Sequence, residues 1–224
     1  DGRPYIAMEF IEGETLRQKI KARSLQIRET LDIAIQITSG LSRAHELGII
    51  HRDLKPENLM LSRDGYAKIR ERALVADSEQ KTLIRGVETE SGTLMGTVNY
   101  MAPEQLLGQR VDRRCDVFSF GVVLCEMLTG TAPFVHDNRI DTMHAILHRD
   151  PRLPGAEGAE LPIDLQRILT KALAKSPKDR YQTFDELAAE LKSLKRELDL
   201  GKTLPIAAKT RLVLKRVVAG AQAV

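Results

Sequence analysis

The sequence predicts a mainly α-helical fold with one short β-hairpin, and three observations carry that prediction. Residues 28–47 show apolar positions at helical spacing, and residues 112–128 are almost wholly apolar. The third observation is Asp64-Gly65, a pair that provides the positive φ angles of a tight hairpin turn and that lies between two short apolar segments.

Composition places the chain among ordinary globular proteins. It has 224 residues, 42% hydrophobic and 29% charged. Its 34 basic and 31 acidic residues are interspersed, which argues against a nucleic-acid binder with a basic face. No apolar run approaches the roughly 18 residues of a membrane helix. Cys115 and Cys125 lie in an apolar run, so we expect free buried thiols and a cytoplasmic protein.

The first predicted elements are one strand followed by two helices. "PYIAMEFI" (4–11) alternates in polarity and predicts a strand, and "ETLRQKIKA" (14–22) predicts a short helix. An amphipathic helix is expected over 28–47, with Gly48 as its stop signal.

A polar loop and a hairpin come next. Pro56 prevents a regular helix through "HRDLKPENLM" (51–60), which lies between apolar residues on both sides. "NLMLS" and "YAKI" are expected to pair as the hairpin. Residues 71–100 have no clean period and predict a mobile loop.

The second half predicts helices only. The helix over 112–128 is apolar on all sides, which is typical of the centre of a core. Further helices are expected at about 138–149, 163–174 and 183–197, separated by prolines.

Four motifs occur in a fixed order along the chain. They are "HRDLKPEN" (51–58), "GTVNYMAPE" (96–104), "DVFSFG" (116–121) and "PKDRYQTF" (177–184). Taken singly, the first is compatible with a turn that carries capping Asp and Asn side chains. Together, the four resemble the catalytic loop, the end of the activation segment, the central helix and the late arginine of protein kinases.

The resemblance covers about residues 1–195, and "YIAMEFIEGETL" looks most like the bacterial serine/threonine kinases of eukaryotic type. It implies an α+β kinase fold reduced to the hinge and helical C-terminal lobe, with the short β-hairpin and without an N-terminal lobe. Residues 196–224 would be a linker or tail. The Gly-rich loop and the ATP-binding lysine that precede the hinge in kinases have no counterpart in this chain, so we expect it to be truncated and inactive alone.

The resemblance assigns catalytic roles in the polar loop. Asp53 would orient the substrate hydroxyl and accept its proton, and Lys55 would neutralise charge on the γ-phosphate of ATP. Asn58 would bind Mg²⁺ through its side-chain oxygen. Lys55 together with Thr97 resembles the Ser/Thr-specific kinases.

The same resemblance assigns an ATP site. Met8 would be the gatekeeper, the backbone groups of Glu9 and Ile11 would bond the adenine edge, and Met60 would form the floor beneath it. We expect no nucleic-acid partner and a protein with Ser or Thr as substrate. The missing lobe or further domains of the parent protein would be the other partners.

Supporting residues also follow from the resemblance. His51 would pack beneath the loop, Asp116 would hold the loop's backbone from the central helix, and Arg180 would pair with Glu104. Arg52 would pair with a phosphate on the activation segment, whose candidate acceptors are Thr89, Ser91 and Thr93.

The pattern breaks where kinases carry D-F-G. Glu71, Arg72 and Ala73 occupy those positions. Glu71 keeps a carboxylate one methylene longer, which would strain the octahedral geometry of Mg²⁺. Arg72 places a cation where an apolar pocket is expected, and Ala73 lacks the backbone freedom of Gly. Asn58 and a weakened Glu71 are therefore the predicted metal ligands.

Two functions stay open on this sequence. An intact "HRDLKPEN" favours a Ser/Thr protein kinase, whereas "ERA" favours a pseudokinase or scaffold that binds partners without phosphate transfer. A small-molecule phosphotransferase of kinase-like fold is disfavoured by "GTVNYMAPE". His144 and His148 have metal-binding spacing on a helix, but with no third ligand evident we expect a solvated face.

Overall fold

The computed structural model describes residues 11–22, 25–70, 98–153 and 161–201. These residues form seven α-helices, two short 3-10 helices and three strands. In chain order the elements are β1 (Gly13–Thr15), α1 (Leu16–Ala22), α2 (Ile27–Glu46), a 3-10 helix (Pro56–Asn58), β2 (Leu59–Ser62), β3 (Ala67–Ile69), α3 (Pro103–Leu106), α4 (Arg114–Thr129), α5 (Arg139–His148), α6 (Ile163–Ala172), a second 3-10 helix (Pro177–Asp179) and α7 (Phe184–Asp199). The mainly helical fold class is confirmed.

The predicted hairpin is present and carries a third strand. β2 pairs with β3 in antiparallel register, and Gly65 in the connecting turn has φ of 82°. β1 pairs with the other edge of β2, with Thr15 opposite Met60. At Gly13 a Cβ atom would lie 2.0 Å from the carbonyl oxygen of Leu61, so only glycine allows this approach.

The N-terminal elements differ from the sequence prediction. Of the strand predicted over 4–11, residues 4–10 lie outside the described residues, and Ile11 precedes β1 without belonging to a strand. The helix predicted over 14–22 begins two residues later, at Leu16, because Glu14 and Thr15 are taken up by β1. Pairing with β2 provides backbone hydrogen bonds that a local helical pattern does not reveal.

The long helices match their predicted positions within about two residues. α2 ends at Glu46, and Gly48 follows with φ of 76°. The N–H of Gly48 donates to the carbonyl of His45, and the N–H of Ile49 donates to that of Ala44. This is the glycine-dependent helix end that the stop signal predicts.

α4 is the centre of the core. All residues from Cys115 to Met127 are buried, including both cysteines, which are free. α4 packs against both α2 and α6. A Cβ atom at Gly121 would lie 3.0 Å from Ala172, which explains a glycine within this helix.

Only the end of the segment that precedes α3 is described. The mobile loop expected over 71–100 falls mostly outside the described residues, but Val98 and Tyr100 are buried. α3 itself was not predicted, since a four-residue helix provides no apolar period.

Within the described part of the chain, no helix is long and apolar enough to cross a membrane.

Candidate active site

The polar loop between α2 and β2 is held from beneath by one buried carboxylate. Asp116, in the first turn of α4, is fully buried. Its Oδ2 accepts the backbone N–H of His51 at 2.9 Å, and its Oδ1 accepts that of Arg52 at 2.8 Å. His45 Nε2 lies 2.8 Å from Oδ2. The predicted role of Asp116 as the anchor of the loop backbone is confirmed.

The loop carries backbone strain at Arg52. Its φ of 63° lies in the left-handed region, and it is the only non-glycine among the described residues with a positive φ. Such a conformation costs about 1–2 kcal/mol. The contact with Asp116 offsets this cost, as does Gln105 of α3, whose Nε2 donates to the Arg52 carbonyl at 2.9 Å.

The three predicted catalytic residues meet on the surface of this loop. Lys55 Nζ lies 3.1 Å from Asp53 Oδ2. Asn58 Nδ2 donates to the Asp53 carbonyl oxygen at 2.7 Å and to its carboxylate at 3.2 Å. The side chains of Asp53 and Lys55 keep 15% and 19% of their surface exposed, so both remain accessible to solvent.

His51 joins the loop to the end of the hairpin. Its Nε2 lies 2.9 Å from the carbonyl oxygen of Arg70, which can only accept, so Nε2 carries the proton. The N–H of Arg70 donates in turn to the carbonyl of Asn58 at 2.8 Å. His51 therefore has the structural position predicted for it, and the residue that precedes Glu71 is fixed beside the loop.

The donor atoms at this loop suit a hard divalent cation. Asn58 uses its amide nitrogen to bind Asp53, and no group among the described residues donates to its side-chain oxygen. Amide and carboxylate oxygens are the ligands that Mg²⁺ prefers in proteins. The described residues contain no cluster of three or more His, Cys, Asp and Glu side chains that could hold a metal alone.

The remaining predicted site residues are spread between described and undescribed parts of the chain. Met60 lies on β2, two residues after Asn58, with its side chain half-buried. Ile11 is half-buried at the start of the described residues. Met8, Glu9 and Glu71 lie outside them. The adenine site and the Glu71 ligand therefore stay predictions.

The predicted ion pair between Arg180 and Glu104 is present. Arg180 Nη1 and Nη2 donate to the two carboxylate oxygens of Glu104 at 2.7 and 2.8 Å. The other three N–H groups of Arg180 donate to the carbonyls of Ala174, Arg114 and Lys175. All five donors of a fully buried guanidinium are satisfied, which fixes α3 relative to the segment between α6 and α7.

Sequence reasoning missed Gln105. It supports the strained residue of the loop, and its Oε1 also accepts the N–H of Ala102 at 2.9 Å. Gln105 directly follows "APE", and a polar residue in a short helix gives no sequence signal of a contact with a loop some fifty residues earlier.

Two further predictions concern the histidine pair on α5 and the candidate phosphate acceptors. The rings of His144 and His148 lie 4.9 Å apart on an exposed face of α5, and no third ligand joins them among the described residues. The candidate phosphate acceptors Thr89, Ser91 and Thr93, together with Thr97, lie outside the described residues.

The helical core and the Asp, Lys and Asn on its strained loop agree with the resemblance to protein kinases. The chain matches the protein kinase domain over residues 1–191. It therefore belongs to the protein kinase family.

Its relatives include bacterial serine/threonine-protein kinases. The chain is 35% identical over 189 residues to serine/threonine-protein kinase PknB of Mycobacterium leprae, a match that covers 84% of this chain and 30% of the relative. It is 36% identical over 192 residues to PknB of Mycobacterium tuberculosis, with the same shares covered. A probable serine/threonine-protein kinase of Streptomyces coelicolor, SCO3848, is 35% identical over 191 residues, with 85% of this chain and 28% of the relative covered. The chain thus spans less than a third of the length of these curated relatives.

Proposed function

We propose that this chain is part of a serine/threonine protein kinase that transfers the γ-phosphate of ATP to a protein hydroxyl. The observation that carries the proposal is the constellation of Asp53, Lys55 and Asn58. Asp53 lies within 3.2 Å of a polar nitrogen of each of the other two residues.

The proposed chemistry assigns one task to each side chain. The substrate oxygen forms a bond to the γ-phosphorus while the bond from phosphorus to the β–γ bridging oxygen breaks, and ADP leaves. Asp53 orients the hydroxyl and receives its proton. Lys55, paired with Asp53 at 3.1 Å, provides positive charge for the transferred phosphoryl group.

Magnesium would be held by Asn58 through its side-chain oxygen, with Glu71 as the second ligand. When bound, Mg²⁺ neutralises the charge that develops on the phosphate oxygens. The amide nitrogen of Asn58 is fixed by Asp53, which leaves the oxygen of the same amide for the metal. ATP would contact Met8, Glu9, Ile11 and Met60.

The expected partner is a protein with accessible Ser or Thr. Free buried cysteines and the requirement for ATP support a cytoplasmic location. Residues 1–195 would form the kinase domain, and 196–224 a linker or tail.

A second function has one specific observation in its favour. Glu71-Arg72-Ala73 stands where kinases carry D-F-G. A longer carboxylate and a cation in place of an aromatic side chain weaken the metal site. A pseudokinase or scaffold would retain the loop and bind partners without transfer.

The test compares the native sequence with the variant Glu71→Asp/Arg72→Phe/Ala73→Gly, each fused behind the N-terminal lobe of a serine/threonine-kinase relative, because the sequence carries no Gly-rich loop or ATP-binding lysine of its own. Mg²⁺-dependent ATP binding is measured by calorimetry, and transfer of labelled γ-phosphate to casein is measured in parallel. The restored metal ligand should tighten MgATP binding and raise the transfer rate. Asp53→Asn in the restored variant should keep the binding and abolish the transfer, since Asn cannot accept the proton.

Two outcomes would overturn the kinase proposal. Binding of MgATP without transfer in the restored variant would favour the pseudokinase. Absence of MgATP binding in both forms would contradict an ATP site in this chain.

A further inference from the structure

Arg17, on α1, binds three groups that come from three distant parts of the chain. Its Nε donates to Glu57 Oε1 at 2.7 Å. Its Nη1 donates to Glu126 Oε1, and its Nη2 donates to the hydroxyl of Tyr100. Tyr100 donates its own proton to Glu126 Oε2 at 2.6 Å, which closes the network.

The three partners of Arg17 lie on elements that surround the candidate active site. Glu57 belongs to the 3-10 helix that ends at Asn58, the predicted metal ligand. Glu126 belongs to α4, the helix whose first turn carries Asp116. Tyr100 belongs to the buried segment that leads into α3. One side chain thus links the catalytic loop to two of its supports.

The network is partly buried, and its charges depend on one another. Only 6% of the Glu126 side chain is exposed, so its charge requires a partner. Burial raises the pKa of Tyr100, and the adjacent Glu126 raises it further, so the phenol keeps its proton. Burial opposes the charge on Arg17, but its hydrogen bonds to Glu57 and Glu126 raise its pKa and keep it protonated.

The geometry requires arginine. Three acceptors on three elements are reached by three different nitrogens of one planar group. A lysine ammonium carries its donors on a single atom and cannot span these positions. Arg17 therefore acts as a bridge between elements and not only as a source of charge.

We propose that Arg17 is a positioning residue, which holds the 3-10 helix carrying Asn58 and the segment 98–100 in register with α4. For phosphate transfer this rests on the proposed function, since Asn58 matters to the reaction only if the chain supports a kinase. The mechanical part of the proposal concerns the chain itself, and it is tested without ATP.

Hydrogen exchange on the full chain, followed by mass spectrometry, tests the bridge. Arg17→Ala should accelerate exchange by roughly tenfold at the amides of 57–59 and of 99–101, because a charge-assisted hydrogen bond is lost at each. Exchange in α7 should not change. The matched control is Lys19→Ala on the same helix, since Lys19 is 20% exposed against 21% for Arg17 and is paired with Glu29 at 2.9 Å.

Chemical rescue distinguishes a bridge from general stabilisation. Ethylguanidinium at millimolar concentration should restore protection at both segments of Arg17→Ala, whereas ethylammonium should not. Arg17→Lys should protect at most one of the two segments. Equal acceleration along the whole chain, or the same exchange in Arg17→Ala and Lys19→Ala, would overturn the proposal.

If Arg17→Ala fails to fold, Glu57→Ala removes the contact with Arg17 Nε from the other side. The Glu57 side chain is 47% exposed, so the substitution leaves no buried charge. It should accelerate exchange over 57–59, while Tyr100 keeps its own hydrogen bonds to Arg17 and Glu126. Faster exchange at 99–101 as well, with α7 unchanged, would also support a link through Arg17, whereas unchanged exchange at 57–59 would overturn the proposal. These outcomes do not depend on phosphate transfer, so failure of the proposed kinase function leaves them readable.

Discussion

The loop with Asp53 and the ion pair of Glu104 and Arg180 both contact the first turn of α4, but they differ in how fully their polar groups are hydrogen-bonded. Arg180 is fully buried, and each of its five N–H groups has an acceptor. Asp53 and Lys55 are partly exposed, and the side-chain oxygen of Asn58 accepts no hydrogen bond from the described residues. All the guanidinium donors of Arg180 are therefore hydrogen-bonded, whereas the loop keeps an acceptor, the side-chain oxygen of Asn58, that the described residues do not use.

The difference separates a group that maintains the fold from groups available for chemistry. A buried guanidinium with all donors satisfied has nothing left to bind a ligand. The loop instead presents a carboxylate, an ammonium and an amide oxygen to solvent, while Asp116 and Gln105 fix its backbone from below. Loss of the first region should therefore affect stability, and loss of the second should affect function.

The largest effect is expected at Arg180. Arg180→Met leaves the Glu104 carboxylate buried without its partner and removes three bonds to backbone carbonyls. Such a change costs about 3–5 kcal/mol of the free energy of unfolding. Urea unfolding followed by circular dichroism measures it.

Arg167→Met is the matched control for Arg180. Arg167 also pairs with a carboxylate, Glu190 at 2.8 Å, but its side chain is 56% exposed. The loss should be about 0–1 kcal/mol. Equal losses at the two positions would show that burial of the Arg180 pair does not matter to stability.

Much of the fold could be predicted from the sequence because it rests on local patterns. Helix ends at Gly48, the hairpin turn at Gly65 and the apolar α4 all follow from short-range chemistry. The pairing of Arg180 with Glu104 was also predicted, but from family resemblance and not from spacing, since 76 residues separate the two.

The contacts that were missed join distant segments through side chains with no pattern of their own. Arg17 is one of several polar residues in the short helix α1, so nothing in the sequence distinguishes it. β1 is only three residues long, which is too short to show an alternating pattern. Glu126 offered the one available signal, because an acidic residue within an apolar helix indicates a buried partner. The sequence does not reveal which cation that partner is.

A smaller effect is expected at Lys175, whose backbone carbonyl accepts a hydrogen bond from Arg180 and which is itself half-buried. Its Nζ donates to the carbonyl of Ile146 at 2.7 Å and lies 3.9 Å from the centre of the Phe134 ring. Burial lowers the pKa of Lys175 from 10.5 to about 8. Between these two pH values the unfolded chain holds a proton that the folded chain has released.

Stability should therefore rise through Lys175 as the pH increases from about 8 towards 10.5. The gain should be about 1 kcal/mol, once solvent screening of a half-buried group is allowed for. Burial raises the pKa of Cys125 to about 12, which acts in the opposite direction, so only the difference between variants is informative. Lys175→Met should remove this rise in thermal-unfolding measurements, and Lys171→Met should retain it. A wild-type slope in Lys175→Met would contradict the assignment.

The smallest effect on stability is expected at Asp53, where the effect on the reaction should be greatest. Asp53→Asn keeps the shape of the side chain and removes one charge from a partly exposed pair with Lys55. The free energy of unfolding should change by less than about 1 kcal/mol, because the pair is partly buried and Asn keeps hydrogen-bonding groups at the same position. Urea unfolding of Asp53→Asn, measured beside Arg180→Met, checks this. A loss above about 2 kcal/mol would mean that the loop depends on the Asp53 charge for its structure, as α3 depends on Arg180. The distinction between a region that maintains the fold and a region that reacts would then be wrong. A small loss would place the importance of that carboxylate in the chemistry, because the backbone contacts of Asp116 and Gln105 would then suffice to hold the loop in place.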